Sequence, residues 1–307
     1  MKSPDPSNIR LESTRNGTPI VKVVSGTYPT PRSHMSSLKL TPALALTRIS
    51  RAAACTPQLL LWCTLGTSIS SFAETLPPAP DQSSPTPEQD CNRVAREKMF
   101  HDLADFARYG PANATLPPPN PGERRVVFMG DSITDSWATV DPKFFARAEF
   151  IDRGISGQTT LQMLLRFRQD VVALKPAVVH IMAGTNDIAG NTGPMDLPAT
   201  EANIASMVDL ARANGIQVVI GSVLPAKDFS WHPGIDPGPK IVALNKWLKS
   251  YSHARHVIYV DYYTALTDGA LGMRSDLSPD GVHPSLPGYL IMDPLADAAI
   301  RAAPRRQ

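Results

Sequence analysis

The chain has 307 residues, a net charge of +2 and 42% hydrophobic residues, which suits a globular core in one large domain or two small ones. Acidic and basic residues are mixed along the chain, so the concentrated basic face of a nucleic-acid-binding protein is not expected. No stretch approaches the roughly 20 apolar residues of a membrane-spanning helix. Many of the 30 prolines precede residue 125, so we expect the main folded domain after that point.

The first part of the chain has the composition of an extension followed by an export signal. Residues 1–34 are polar, rich in Pro and Ser and aperiodic, which predicts disorder. Residues 35–73 contain isolated basic residues, the apolar run 59–65 and small residues before a cleavage point at Ala73. This layout is typical of a secretory signal peptide and predicts a secreted or periplasmic protein. A buried core helix is the alternative, and whether translation starts at the first residue or at Met35 stays open.

The cysteines indicate neither a metal site nor an internal disulfide. Cys55, Cys63 and Cys91 lack the spacing of zinc ligands. If the first two are removed with the leader, Cys91 has no partner within the chain.

A linker and a helix precede the main domain. Residues 74–90 are rich in Pro, Ser and Gln and read as a linker. Apolar residues recur on one face of a helix predicted for 91–109, and an extended connector follows at 111–121. The segment 91–121 is therefore predicted to lead into a domain at 122–307.

Strands and helices alternate after residue 125. Short β-branched or aromatic runs predict five strands, at 126–129, 150–152, 177–182, 218–223 and 257–260. Helical periodicity predicts helices at 159–174 (with Leu161, Leu164 and Leu165 on one face), 200–214, about 241–251, and 287–303 with an interruption at Asp293 and Pro294.

This alternation predicts an α/β fold with three layers, α/β/α, around a five-stranded parallel sheet. Right-handed crossovers leave few topologies. We favour the flavodoxin-like order 2-1-3-4-5, which places the end of the first strand beside the switch point where ligands bind.

Four polar stretches lie where strands end or in a late loop. They are Gly130-Asp131-Ser132, Arg153-Gly154-Ile155-Ser156-Gly157, Gly184-Thr185-Asn186-Asp187 and Asp280-Gly281-Val282-His283. A serine nucleophile needs a base, an acid that orients the base, and donors for the oxyanion. The chain offers Ser132 as nucleophile, His283 as general base and Asp280 as orienting acid. The N–H groups of Ser132 and Gly154 and the side-chain amide of Asn186 are the predicted oxyanion hole.

These four stretches resemble the consensus blocks of the SGNH hydrolase family, also called GDSL esterases/lipases. The family's Ser, Gly, Asn and His match Ser132, Gly154, Asn186 and His283 in order, and Asp280 matches the acid of its D-x-x-H block. The resemblance covers roughly residues 120–303 and is greatest to the secreted bacterial acylhydrolases of the family. It implies hydrolysis of carboxylic esters through an acyl-enzyme, without a metal or another cofactor.

Each of these residues also has a purely structural interpretation. Ser132 suits a helix cap, Asn186 a turn, and Gly154 a strained backbone. We assign Asp131 and Asp187 to capping or turn hydrogen bonds. His180, inside the third predicted strand, is interpreted as a core histidine.

Three other functions are weighed against the esterase. An α/β-hydrolase would need the second glycine of G-x-S-x-G, which is missing after Ser132. A metal-dependent phosphoesterase would need several converging His and Asp ligands, and the sequence shows no such cluster. A non-catalytic carbohydrate- or lipid-binding module on the same scaffold is the remaining alternative.

Substrate preference is the property that the sequence predicts least well. Trp137, Ile188, Phe229 and Trp231 are candidate substrate-binding residues, although the three aromatic ones could equally cover the core. No long amphipathic lid is visible, so we expect short acyl chains. The expected partner is a small-molecule ester, such as an acetylated carbohydrate or lipid, and the oligomeric state stays open.

Overall fold

The structure is a computed structural model, and it describes Glu97 and residues 100–304. The predicted extension, signal peptide and linker, and the three cysteines, lie outside the described residues. No helix in the described part of the chain is long and apolar enough to cross a membrane.

Five parallel strands form a single sheet in the order β2-β1-β3-β4-β5. Their bounds are β1 Val126–Gly130, β2 Phe150–Gly154, β3 Val178–Met182, β4 Gln217–Gly221 and β5 Ile258–Val260. The α/β fold class and the predicted strand order are confirmed, with strand ends that differ from the predicted ones by one or two residues.

Eight α-helices have both ends within the described residues. They are α1 Gly110–Thr115, α2 Ser132–Val140, α3 Thr160–Asp170, α4 Thr185–Ala189, α5 Leu197–Ala213, α6 Pro237–Arg255, α7 Tyr262–Leu266 and α8 Leu286–Ala302. Short 3₁₀ helices lie at Phe144–Ala146 and Val172–Leu174.

Alternating strand residues face two hydrophobic cores, one on each side of the sheet. Val127 and Met129 of β1 lie in the core that α3, α5 and α6 cover. Val126 and Phe128 lie in the opposite core, under α2 and α8. The predicted three layers are therefore present.

The predicted apolar face of α3 is wrong. Leu161 and Leu165 are exposed, and the buried side of the helix carries Met163 and Phe167 together with the charged Arg166. Polar side chains occupy part of the core here, so hydrophobic periodicity alone selects the wrong face.

The N-terminal prediction is also wrong in part. Residues 102–109 form turns instead of ending a long helix, and α1 begins at Gly110 where an extended connector was predicted. Pro111 stands in the first turn of α1, where its fixed φ suits a helix and its missing N–H is not needed.

The last helix, α8, runs through Pro294 without the predicted interruption. Proline removes the N–H that would bond to the carbonyl of Leu290. Leu290 is on the exposed side of the helix, where water can satisfy that carbonyl.

Arg166 is a fully buried cation with three partners. It donates to Asp170 Oδ2 at 3.0 Å, to Gln158 Oε1 at 2.6 Å and to the carbonyl of Gly130 at 3.1 Å. A buried ion pair whose remaining donors are also bonded avoids most of the penalty of desolvation.

We expect Arg166→Met to lower the free energy of unfolding by about 3–5 kcal/mol, because it leaves Asp170 buried without its cation. Urea denaturation monitored by tryptophan fluorescence measures the change. Arg274→Met removes the exposed partner of Asp276 and is the matched control, with stability expected unchanged. Equal stability of both variants would contradict a structural role for the Arg166 pair.

Candidate active site

The sheet brings three of the four polar stretches to one edge. Gly130, the last residue of β1, pairs with Gly154 of β2 and with Met182 of β3. A Cβ on Gly130 would lie 2.0 Å from Thr134 Oγ1, so a glycine is required where the chain turns into α2. Ser132 is therefore placed at the first turn of α2, beside the ends of the two neighbouring strands.

A chain of hydrogen bonds joins Ser132 to the late loop. Ser132 Oγ lies 2.8 Å from His283 Nε2, and His283 Nδ1 lies 2.7 Å from Asp280 Oδ2. Asp280 Oδ1 also accepts from the backbone N–H groups of His283 and Val282, at 2.8 and 2.9 Å, and from Ser278 Oγ at 3.1 Å. This is the arrangement in which an imidazole can take the proton of a serine hydroxyl.

Asp280 is held in its ionised form. Its side chain is 42% exposed. Partial burial opposes ionisation, but the hydrogen bonds from His283 and Val282 outweigh it and lower the pKa of Asp280 to about 2. The carboxylate therefore accepts from the imidazole at any neutral pH.

The side-chain amide of Asn186 uses only one of its two hydrogens in a bond to the described residues. Its Nδ2 donates one hydrogen to the carbonyl of Gln158 at 3.0 Å, and its Oδ1 accepts from Asn191 Nδ2 at 2.8 Å. An amide nitrogen carries two hydrogens. Asn186 lines the same depression as Ser132, so the second hydrogen is available there.

Gly154 lies at the predicted edge of the sheet, at the end of β2, but its N–H group is already bonded. Its N–H already donates to Asp152 Oδ1 at 2.7 Å, and its carbonyl accepts from the hydroxyl of Tyr109 at 2.5 Å. A Cβ at this position would lie 2.1 Å from the backbone nitrogen of Asp135. The assignment of Gly154 to the oxyanion hole is therefore wrong, because this glycine lets α2 pack against the end of β2.

Gly157 is the glycine of that stretch that reaches the site, and sequence reasoning missed it. It lines the depression with Ser132 and Asn186. Its N–H has no acceptor among the described residues, and its φ of +79° favours glycine. Residue type alone does not separate the two glycines, and the structure shows that Gly154 ends β2 whereas Gly157 follows in the loop.

The depression has a volume of about 450 Å³, and most of the residues that line it carry a polar side chain. Its walls are Ser132, Ser136, Ser156, Gly157, Asn186, Asn191, Trp231 and His283. Trp231 is 39% exposed, and its ring centre lies 6.3 Å from that of His283. Of the four predicted substrate-binding residues, Trp231 alone is in this lining.

The other three predicted substrate-binding residues are buried in the protein and do not line the depression. Trp137 is fully buried among aromatic rings and donates from Nε1 to Asp293 Oδ1 at 2.9 Å. Phe229 is fully buried and stacks beneath Trp231 at 4.9 Å between ring centres. Ile188 packs into the core and borders a different depression, so none of the three is a wall of the site.

The remaining polar residues near the site have structural roles, as predicted. Asp131 caps α2 by accepting from the N–H of Ile133 at 3.0 Å, and its burial raises its pKa to about 6. Burial raises the pKa of Asp187, which accepts from the N–H and hydroxyl of Thr160. His180 is a core residue whose pKa is lowered to about 3 by burial.

Comparison with known proteins decides the family. The sequence profile of the GDSL-like Lipase/Acylhydrolase family matches residues 128–291, more than half of the chain. The chain belongs to this family. The GDSL-like hydrolase fold and the SGNH resemblance expected from the four polar stretches are thereby confirmed.

Several relatives of this GDSL-like hydrolase have known structures or names. A GDSL-like lipase from Bacteroides thetaiotaomicron, whose crystal structure is known, is 46% identical in sequence. The two structures match with a TM-score of 0.63 over 64% of this chain and 98% of that one. Esterase TesA of Pseudomonas aeruginosa is 29% identical over 52% of this chain and 80% of its own length. An acetylxylan esterase of Geobacillus stearothermophilus is 25% identical over 55% of this chain and 90% of its own length. The chain is accordingly a carboxylic ester hydrolase.

We expect Gly154→Ala to lower the free energy of unfolding of the GDSL-like hydrolase by about 1–3 kcal/mol, because the new Cβ collides with backbone that cannot move cheaply. Gly110→Ala is the control, since no atom lies within 4 Å of its Cβ position. Thermal or urea denaturation compares the two. A Gly154→Ala protein as stable as the control would contradict the close approach of α2 and β2.

Proposed function

We propose that this hydrolase cleaves esters of short carboxylic acids through an acyl-enzyme on Ser132, with His283 as general base and acid and Asp280 as its orienting carboxylate. The 2.8 Å contact between Ser132 Oγ and His283 Nε2 carries the proposal. A hydroxyl is a weak nucleophile, and an adjacent base that accepts its proton makes it reactive.

The reaction would proceed in two halves. Ser132 Oγ attacks the ester carbonyl as its proton passes to His283 Nε2, and the tetrahedral intermediate collapses as that proton is given to the departing alcohol oxygen. Water then enters, His283 takes one of its protons, and the hydroxide attacks the acyl-enzyme. Collapse of the second intermediate returns the proton to Ser132 and releases the carboxylic acid.

Three N–H groups would stabilise the oxyanion. Gly157 replaces Gly154 in this proposal and acts together with the N–H of Ser132 and the Nδ2 of Asn186. The backbone N–H of Ser132, in the first turn of α2, has no helical acceptor. Preorganised donors of this kind strongly accelerate acyl transfer, because they stabilise the negative charge as it develops on the carbonyl oxygen.

The lining of the depression supports a short acyl group. Apart from Trp231, the residues that line it are serines, asparagines, a histidine and a glycine, and none has a long apolar side chain. Each additional methylene of a long chain gains about 0.8 kcal/mol only where it is buried against apolar surface. An acetyl or propionyl ester of a polar alcohol, for example an acetylated carbohydrate, suits this lining better than a long-chain lipid.

We also propose that the catalytic domain comprises residues 122–307 and that it is exported with cleavage near Ala73. The signal-like layout of residues 35–73 supports the proposal. Expression from Met35 in a bacterial host, followed by N-terminal sequencing of the exported protein, tests it. Export without cleavage between 70 and 76, or retention in the cytoplasm, would contradict it.

We expect Ser132→Ala to lose at least about 10⁴-fold in kcat on p-nitrophenyl acetate, because the nucleophile is removed while folding is retained. A fluorophosphonate should label the parent at Ser132 and leave the variant unlabelled. Parent activity should persist in a chelator, since the described residues contain no group of three or more potential metal ligands. Failure of both turnover and labelling in the parent would favour a binding module, and loss of activity in the chelator would favour a metal mechanism.

We expect kcat/KM to fall toward acid pH, because a protonated imidazole cannot accept the serine proton. The pKa of Asp280, about 2, keeps its carboxylate out of this range, but the Asp131 carboxyl, with a pKa of about 6, titrates within it. Asp131→Asn retains a capping oxygen and separates the two groups. The variant should keep the fall in kcat/KM toward acid pH, and loss of that fall in Asp131→Asn would assign it to Asp131 instead of the imidazole.

A further inference from the structure

Asn191 joins three parts of the site through one side chain. It follows α4, five residues after Asn186, and its Nδ2 donates to Asn186 Oδ1 at 2.8 Å and to the carbonyl of Gly157 at 3.0 Å. Its Oδ1 accepts from Trp231 Nε1 at 3.1 Å. The two residues that Asn191 binds through Nδ2 are those that supply two of the three proposed oxyanion donors.

The orientation of both amides follows from the partners. An indole N–H can only donate, so the atom of Asn191 that faces Trp231 must be its oxygen. The Asn191 nitrogen then faces Gly157 and Asn186, and a nitrogen can bond there only if Asn186 presents its oxygen. The Asn186 nitrogen is therefore the atom that bonds to the Gln158 carbonyl and has a hydrogen left for the depression.

We propose that Asn191 is the positioning residue of the oxyanion hole, a role that rests on the function proposed above. By donating to Asn186 Oδ1, Asn191 prevents the Asn186 amide from rotating and presenting an oxygen to the developing negative charge. By donating to the Gly157 carbonyl, Asn191 also anchors the turn whose N–H faces the depression. Asn191 itself lies beside the oxyanion donors and makes no bond to the reacting atoms.

The surroundings of Asn191 argue against a purely structural role. The residue is partly exposed and belongs to neither hydrophobic core. Its backbone N–H donates to the carbonyl of Asn186 at 3.1 Å, a bond that any non-proline residue would keep. Loss of the side chain should consequently disturb the donors more than it disturbs the fold.

Asn191→Ala tests the role, with kcat expected to fall about 10- to 100-fold and KM to change by less than about threefold. The affinity for a phenylboronic acid, which forms a tetrahedral adduct on a serine, should fall in parallel with kcat/KM. Asn191→Asp keeps the acceptor for Trp231 but removes both donations, so its loss should be at least as large. The control is Asn214→Ala, because Asn214 is an exposed asparagine directly after α5 whose side chain donates to the carbonyl of Leu210, and this variant should behave as the parent does.

A double-mutant cycle with Asn186→Ala separates positioning from a general effect. If Asn191 acts through Asn186, its substitution should cost clearly less in the Asn186→Ala background than in the parent. Additive losses would overturn the proposal, as would a drop in melting temperature that accounts for the lost activity. Retention of kcat in Asn191→Ala, with activity lost in Ser132→Ala and Asn186→Ala, would overturn Asn191 alone and leave the proposed function intact.

Discussion

The contact between Ser132 Oγ and His283 Nε2 is the interaction on which the site depends, and it joins residues 151 positions apart. Its geometry follows from the packing of α8 against α2. Tyr289 of α8 donates its hydroxyl hydrogen to the carbonyl of Ile133 at 2.7 Å, and Trp137 of α2 donates to Asp293 of α8. These bonds fix the start of α8, and the loop that carries the imidazole therefore has little freedom relative to the serine. Trp137 therefore supports this geometry from the core and is not part of the lining of the depression.

The opposite side of the site is organised by buried polar groups. Arg166 binds the carbonyl of Gly130, two residues before the serine, and the side chain of Gln158, whose backbone carbonyl accepts from Asn186. The Arg166 guanidinium thus connects the end of β1 to the loop that contains Gly157 and Gln158. A buried polar network is stable only when every member is satisfied, so its parts are expected to be coupled in position as well as in energy. This explains why the core side of α3 carries an arginine that apolar periodicity could not identify.

Sequence patterns predicted the strands, their order and the stretches that bring Ser132, His283 and Asp280 together, because each depends on local composition and on the common edge of a parallel sheet. They failed where a role depends on packing between elements. Gly154 and Gly157 are indistinguishable by residue type, and only the approach of Asp135 to one of them shows which is structural. Phe229 and Trp231 are two residues apart in one loop, yet Phe229 is buried in the core and supports the exposed ring of Trp231. Side chains in an irregular loop do not alternate with a fixed period, so the sequence does not show which of the two rings is exposed.

The proposed oxyanion donors are neutral dipoles. Among the described residues that line the depression, none is a lysine or an arginine, and the proposed oxyanion donors are all amide N–H groups. Such dipoles act strongly at hydrogen-bond distance on a charge concentrated on one oxygen, and they need no reorganisation as that charge develops. A cation in the same place would also attract the carboxylate product at longer range and retain it. A hole built from amides stabilises the intermediate with less penalty on product release, but the contribution of the Asn186 side chain is lost if its amide turns by about 180° and presents the oxygen. The amide orientations are therefore as important to this site as the distances.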